Sequence, residues 1–435
     1  MTDATPSGPG PKRLVEAGIA LLVVAAALLL ATPAWRPPKL FPDSLTYIQW
    51  DPIRPPAYCA FVALFGQGAA LVQVQSLLSL LSWAFAGWML GRGAGLFLLT
   101  LLAMSLPVAQ WNLMLLSESF SYSLVMLAIG LTLRLLRKWS WGGFAAWVAV
   151  AALLSFARLS NLFITPFLAL PFLARARTAW RAMGAASLAL FLAGLWMSAT
   201  RGADFERMEL SNVIMGRILP DPEARAFFHA RGMPLDERVM SYSGRLRSRA
   251  YRELWARAPE FRAWLTPEGM RTYRAWLLRD GAAFRAAWRA LAEGDSGIGN
   301  CLGYGGDVAP RPVAARLLPF YLWLGKLPPA LWLALMLLLP LLDRWRDGPL
   351  SPRSLLLPAL ATAAYAQAFI CFHGDADEVP RHMLIVGLLY RVTILAGLCG
   401  AVRLAAGLFA GRKREAAPLP PSGQASAQEF AVQDR

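Results

Sequence analysis

Asp43, Arg54, Glu118, Arg158 and Arg381 are the residues of this sequence best placed to do chemistry, because each is a charge in or at the mouth of an apolar run. Ionisable groups there are costly and usually serve a function. Asp43 and Arg54 lie in FPDSLTYIQWDPIRPPAY, Phe41 to Tyr58, which also carries Asp51 and the aromatics Tyr47, Trp50 and Tyr58. Glu118 lies in LLSESFSY, Arg158 in SFARLSNLF, and Asp375, Asp377, Glu378, Arg381 and His382 in HGDADEVPRHM. An arginine fork binds phosphate through two parallel bonds and stabilises the charge that develops as a bond to phosphate breaks. A carboxylate beside a hydroxyl can act as general base. The combination suits a substrate with a hydroxyl to activate and a phosphate to release, and the tyrosines suit stacking on sugar faces. Simpler roles stay open for each: Glu118 as a carboxylate at a helix N-terminus, Arg158 snorkelling to headgroups, Asp43 as a solvated loop residue.

These residues must be positioned by membrane spans. The chain has 435 residues, 57% hydrophobic and 16% charged, and several apolar runs reach the roughly 20 residues that cross about 30 Å of hydrocarbon. The class expected is an all-α polytopic membrane protein. About ten transmembrane helices are expected, near residues 14–34, 69–90, 94–110, 117–136, 141–157, 159–174, 183–200, 315–342, 354–373 and 383–410. The run Leu14–Ala31 is longer than a signal h-region and reads as an uncleaved first span. Pro56–Gly66 is too short to cross and reads as a re-entrant or surface helix, and Pro166 and Pro171 should kink the sixth span. Lys12 and Arg13, Arg92, Arg134 to Lys138, Arg175 to Arg181, Arg344 to Arg353 and Arg412 to Arg414 fill alternate loops. The positive-inside rule then puts both termini in the cytoplasm and the protein in the cytoplasmic membrane. The formal charge of +16 follows from these loops and their anionic lipid surface, with no nucleic-acid partner implied.

The expected organisation is a transmembrane bundle over 1–200 with a first outer loop at 35–68, an extracytoplasmic, mostly helical insertion over 201–314, closing spans over 315–410 and a disordered cytoplasmic tail over 411–435. The insertion has 18 arginines, no lysine and 14 acidic residues. Trp255, Phe261, Trp264, Tyr273, Trp276, Phe284 and Trp288 suggest amphipathic helices divided by Pro259 and Pro267, lying against phospholipid headgroups or forming a small helical domain. Under this topology Asp43, Arg54, Glu118, Arg158 and the segment 375–382 all fall on the outer face, although the topology was set by other residues. Gly294–Gly306 lacks the Lys-Ser/Thr ending of a phosphate-binding loop, so a donor would have to arrive already energised, as a lipid-linked phosphosugar does. No cofactor is required by the sequence and a divalent metal is left open. His373 and His382 match no standard ligand spacing, and Cys59, Cys301, Cys371 and Cys399 show neither metal nor disulfide spacing.

The order of these features resembles the GT-C superfamily of polytopic membrane glycosyltransferases, of the protein O-mannosyltransferase and aminoarabinose transferase type. The resemblance runs through the Asp-x-x-x-Tyr of Asp43 and Tyr47, then Arg54-Pro-Pro-x-Tyr58 and the LFG of Leu64–Gly66. It continues through VQVQSLLSLL, Ser117-Glu118, the Arg-x-Ser-Asn of Arg158–Asn161 and finally Glu378-x-x-Arg381-His382. It implies inverting transfer of a sugar from a polyprenyl-phosphate donor to a glycan, lipid or protein acceptor outside the membrane. Asp43 would be the base, Arg158 and Arg381 would face the lipid phosphate, and Glu118 would position substrate, with Tyr47, Arg54, Tyr58, Glu378 and His382 completing the binding site. Many relatives carry an adjacent acidic pair where this chain has Asp43-Ser44. A transporter or flippase of a lipid-linked or anionic substrate, and a scaffold of this type without activity, are the alternatives.

Overall fold

A computed structural model of the protein describes Gly18 and residues 37–200, 203–245, 250–279, 281–292, 315–347, 354–374 and 379–415. The expected first span, the glycine-rich stretch at 294–306, the acidic run with Asp375, Asp377 and Glu378, and the tail beyond 415 lie outside them. The described residues are helical, with no strand among them, and one isolated parallel bridge joins Lys39 to Met114.

Five helices are long and apolar enough to cross a membrane: Ala69–Gly91, Ser117–Arg137, Arg177–Thr200, Leu356–Gly374 and Leu384–Val402. Two bent pairs raise the number to seven if each is one broken span: Gly93–Met104 with Leu106–Leu113, bent by 62°, and Leu318–Gly325 with Ala330–Leu342, bent by 77°. The expected spans at 141–157 and 159–174 form shorter apolar helices. The second of these is broken into a 3₁₀ turn, a short α-helix and another 3₁₀ turn, the last opened by Pro171. Pro56–Phe65 is a ten-residue helix, too short to cross.

Ser117–Arg137 is the most buried of the five and forms the centre of the bundle, packed between Ala69–Met104 and Trp141–Ala157. Helices in lipid gain little from hydrophobic burial against one another and rely on close van der Waals fit and a few polar links. One such link is Trp147 Nε1 donating to Thr132 Oγ1 at 2.9 Å, a bond of about 0.6–2 kcal/mol in such a setting. Backbone meets backbone closely between Ala69–Gly91 and Gly93–Met104. A Cβ added at Gly87 would lie 2.6 Å from the carbonyl oxygen of Gly95. Gly87→Ala must therefore force the two arms apart. A loss of about 1–3 kcal/mol is expected, read as a lower thermal midpoint in detergent.

Between Leu210 and Tyr273 the described residues build a second hydrophobic core. Leu210, Ile214, Phe228, Leu254, Phe261 and Leu265 are buried together, and Trp264 Nε1 donates to the Arg231 carbonyl at 3.0 Å. Phe261, Trp264 and Tyr273 thus face protein rather than lipid headgroups. Pro259 does open a new helix, but Pro267 sits within a π-helical turn, Leu265–Gly269, that joins two helices without a break. The wider turn accommodates a residue that has no N–H to donate. The insertion is held to the bundle at the end of Leu356–Gly374: Tyr273 Oη donates to the His373 carbonyl at 2.8 Å, His373 Nε2 meets the Ala283 carbonyl at 2.9 Å, and the Phe284 and Phe369 rings stack at 4.8 Å.

Candidate functional site

The first loop is shaped by backbone chemistry that can be traced residue by residue. Lys39 N donates to Leu113 O at 2.8 Å and Leu115 N to Lys39 O at 3.1 Å, so the loop is bonded to the strip just before Ser117-Glu118. Pro42 then starts a helix, Pro42–Ile48, with Asp43 in its first turn, where proline and a carboxylate are both favoured. Ser44 accepts from Phe41 N and donates to Leu115 O, both at 2.8 Å, which fixes the helix start against that strip.

The helix ends in a Schellman turn. Trp50 N bonds to Tyr47 O and Asp51 N to Thr46 O, with Trp50 at φ 54°. That position is normally glycine, and a bulky residue held there costs about 1–2 kcal/mol. Asp51 accepts from Ile53 N at 3.0 Å and Arg54 N bonds to Asp51 O at 2.8 Å, so Asp51 serves the turn. The turn sends Arg54 back over the helix, where its Nε donates to Thr46 Oγ1 at 2.7 Å and its Nη2 meets Asp43 Oδ1 at 2.7 Å.

From Asp43 the charges continue inward as a chain. Asp43 Oδ2 accepts from Arg381 Nη1 at 2.9 Å, Arg381 Nε donates to Glu118 Oε1, and Glu118 Oε1 also accepts from Arg158 Nη1 at 3.0 Å. Every member comes from a helix end or a loop. Glu118 is in the first turn of Ser117–Arg137, Arg158 caps the C-terminus of Trp141–Ala157, and Arg381 is on the four-residue helix Val379–His382 between the last two long helices. Glu118 is therefore an ion-pair partner, and Arg158 turns inward instead of reaching for headgroups.

The chain is closed in the middle and partly open at its ends. The Asp43 side chain is 33% exposed, whereas those of Arg381 and Glu118 are 3% and 0% exposed. Asp43 is the most open member, and Arg158 at the far end is 13% exposed. Burial pushes the Asp43 carboxyl up, but the Arg54 and Arg381 guanidinium groups outweigh it and hold the net value below the ordinary carboxylate range. Among the described residues three arginines face two carboxylates, and Glu118 Oε2 is buried there without a hydrogen-bond partner. A group with an excess of guanidinium donors suits an anionic ligand.

Two further residues of the expected site have structural tasks. Tyr47 is buried, with its hydroxyl 3.0 Å from Ser117 Oγ and its ring 4.9 Å from the Arg54 guanidinium carbon. Tyr58 is buried edge-on to Tyr47 and donates to Gln75 Oε1 at 2.9 Å. Neither ring is open for stacking on a sugar. His382 is half-buried at the end of its helix, and Glu378 lies outside the described residues. Gln75 was not singled out from sequence, although a glutamine in an apolar span is itself a signal. Its Nε2 donates to the Asn112 and Met114 carbonyls at 3.0 and 3.1 Å, so it braces the strip that carries the first loop. Arg391 was missed as well. It is buried inside Leu384–Val402, donates from Nε to Tyr321 O at 2.9 Å and from Nη1 to Gly387 O at 2.8 Å, and lies over the Tyr321 ring. Its donors hold the bent pair Leu318–Gly325 against the last helix, and a Cβ at Gly325 would overlap its guanidinium. Among the described residues no group of three His, Cys, Asp or Glu side chains could hold a metal ion.

Fold and site together define a helical membrane-embedded protein with a buried, solvent-connected chain of five charges at its helix ends. Comparison with protein-family models, curated proteins and solved structures finds no match to the chain.

Proposed function

We propose that the protein is a membrane glycosyltransferase that moves a sugar from a polyprenyl-phosphate donor to an acceptor hydroxyl on a glycan, lipid or protein outside the cytoplasmic membrane. The observation that carries this reading is the chain Arg54–Asp43–Arg381–Glu118–Arg158, which sets arginine forks beside a carboxylate that is open to solvent. The acceptor hydroxyl would approach Asp43, which takes its proton as the new bond to the sugar forms. The bond from sugar to phosphate breaks on the opposite face, its electron pair leaves with the polyprenyl phosphate, and the anomeric centre inverts. Arg381 and Arg158 would stabilise the departing charge. Arg381 Nη1 is bonded to Asp43 Oδ2, so the donor phosphate would have to draw Arg381 off the base for Asp43 to act.

This reading includes the finer topology. Ten crossings follow if residues 14–34 form the first and if Trp141–Ala157 and Leu159–Ala174 count as thin ones, with both termini cytoplasmic and the charge chain outside. Polyprenyl-linked donors are presented on that side, where nucleotide sugars are lacking. A transporter reading would draw on the buried cation Arg391, but Arg391 donates to the Tyr321 and Gly387 carbonyls and holds packing. The test is the envelope of a deletion strain together with the purified protein. The strain is expected to lose one sugar from a glycan, lipid or protein and to accumulate the matching polyprenyl-phosphate sugar. Given that donor, the pure protein should release polyprenyl phosphate. An unchanged sugar profile would refute the transferase, and a substrate accumulating on the cytoplasmic side would favour transport.

A further inference from the structure

At the other end of the helices that carry Arg158 there is a cleft with no part in the charge chain. It has a volume of about 420 Å³ and lies between Leu159–Ala174 and Arg177–Thr200, walled by Phe163, Phe167 and Leu170 on one side and Trp180, Leu188 and Phe191 on the other. That volume is within the ~300–1,000 Å³ of ordinary ligand sites. Arg177–Thr200 is the least buried of the five long apolar helices, so the cleft opens on its outer side toward lipid. Positions 177, 180, 181, 184, 188 and 191 are spaced three or four apart and share one face of that helix. The apolar wall therefore runs directly into Arg177 and Arg181. Arg175, in the turn between the two arms, adds a third cation, and all three are exposed and meet no carboxylate among the described residues. Ser187 is among the lining residues, with its Oγ buried behind the wall and without a hydrogen-bond partner among the described residues.

We propose that this cleft binds one anionic glycerophospholipid, with an acyl chain between the two arms and the phosphate on Arg175, Arg177 and Arg181. Ser187 lies six residues from Arg181, about 9 Å along the helix, at a depth suited to donating to an acyl ester carbonyl. A polyprenyl phosphate has no such carbonyl, and a zwitterionic lipid does not match three unpaired arginines. Gly184 leaves the cleft open, since a Cβ there would meet nothing nearer than Trp180 Cε3 at 3.9 Å. The site is independent of the transferase reading, which it would outlive.

The test uses the full-length protein in detergent, titrated separately with phosphatidylglycerol, with phosphatidylcholine of the same chains, and with undecaprenyl phosphate. Native mass spectrometry reads retained lipid and a thermal midpoint reads stabilisation. Phosphatidylglycerol is expected to be retained at one copy and to raise the midpoint, with phosphatidylcholine ineffective. The double variant Arg177→Gln, Arg181→Gln is expected to weaken retention about 30-fold, from about 1 kcal/mol per arginine. Gly184→Leu fills the cleft and should abolish retention without lowering the lipid-free midpoint, and Ser187→Ala should weaken it. Equal retention of phosphatidylcholine, preference for undecaprenyl phosphate, or undiminished phosphatidylglycerol in the arginine or glycine variants would each overturn the proposal.

Discussion

Arg381→Met is expected to abolish sugar transfer and to destabilise the protein by about 3–5 kcal/mol, the range for removing one partner of a buried ion pair. Arg381 is 3% exposed and bridges Asp43 and Glu118. Removing it leaves Glu118, fully buried, with Arg158 alone, and returns Asp43 to the influence of Arg54 alone. The cost is large because a buried carboxylate cannot recover water, whereas a solvated pair is worth about 0–1 kcal/mol. Arg381→Lys keeps the charge but replaces a planar fork with a point donor, so it can serve one carboxylate well but not both. It should recover part of the stability and little of the turnover. Thermal midpoints in detergent and release of polyprenyl phosphate measure the two effects separately. An unchanged midpoint in Arg381→Met would mean that Arg381 does not hold Asp43 and Glu118 together.

Asp43→Asn is expected to lower turnover by about 10²–10⁴-fold, the usual contribution of a general base, while leaving the helical bundle folded. The asparagine can still accept from Arg54 and Arg381 through its carbonyl oxygen, and Asp43 is the most open member of the chain. The pH dependence follows from the direction of its titration. With the folded carboxyl held below its ordinary value by Arg54 and Arg381, its pairing contributes stability at every pH above the unfolded value of about 3.9. That contribution is lost as pH falls through the lower folded value. The acid limb of kcat/KM, which reports the free enzyme, should likewise fall below about pH 4. An acid limb near about 6.5, the histidine range, would assign the base elsewhere, and full activity in Asp43→Asn would remove Asp43 from that role.

Much of the arrangement is legible in the chain itself because lipid makes charge expensive. Apolar runs of sufficient length mark the helices Ser117–Arg137, Arg177–Thr200, Leu356–Gly374 and Leu384–Val402. The few charges that interrupt or flank those runs include all five members of the chain at Arg54, Asp43, Arg381, Glu118 and Arg158. Both inferences need only composition and spacing along the chain.

What the chain alone did not determine depends on contacts between distant segments. Arg381 lies 338 residues from Asp43 and 263 from Glu118, and no local pattern reports which acid an arginine will meet. From sequence Tyr47 and Tyr58 read as stacking platforms for a sugar. Only their burial against Ser117 and Gln75 decides for support. The arginine- and tryptophan-rich insertion reads equally well as lipid-facing or self-packed, and its own core decides for packing. Arg391 was passed over because it stands in an otherwise unbroken apolar run, and its partners are backbone carbonyls, which have no sequence signature. The sequence by itself determined which residues are too costly to be idle, since that follows from the solvent around each segment. Tertiary structure alone decided which of them pair and which merely brace, because pairing depends on distances that the order of residues does not contain.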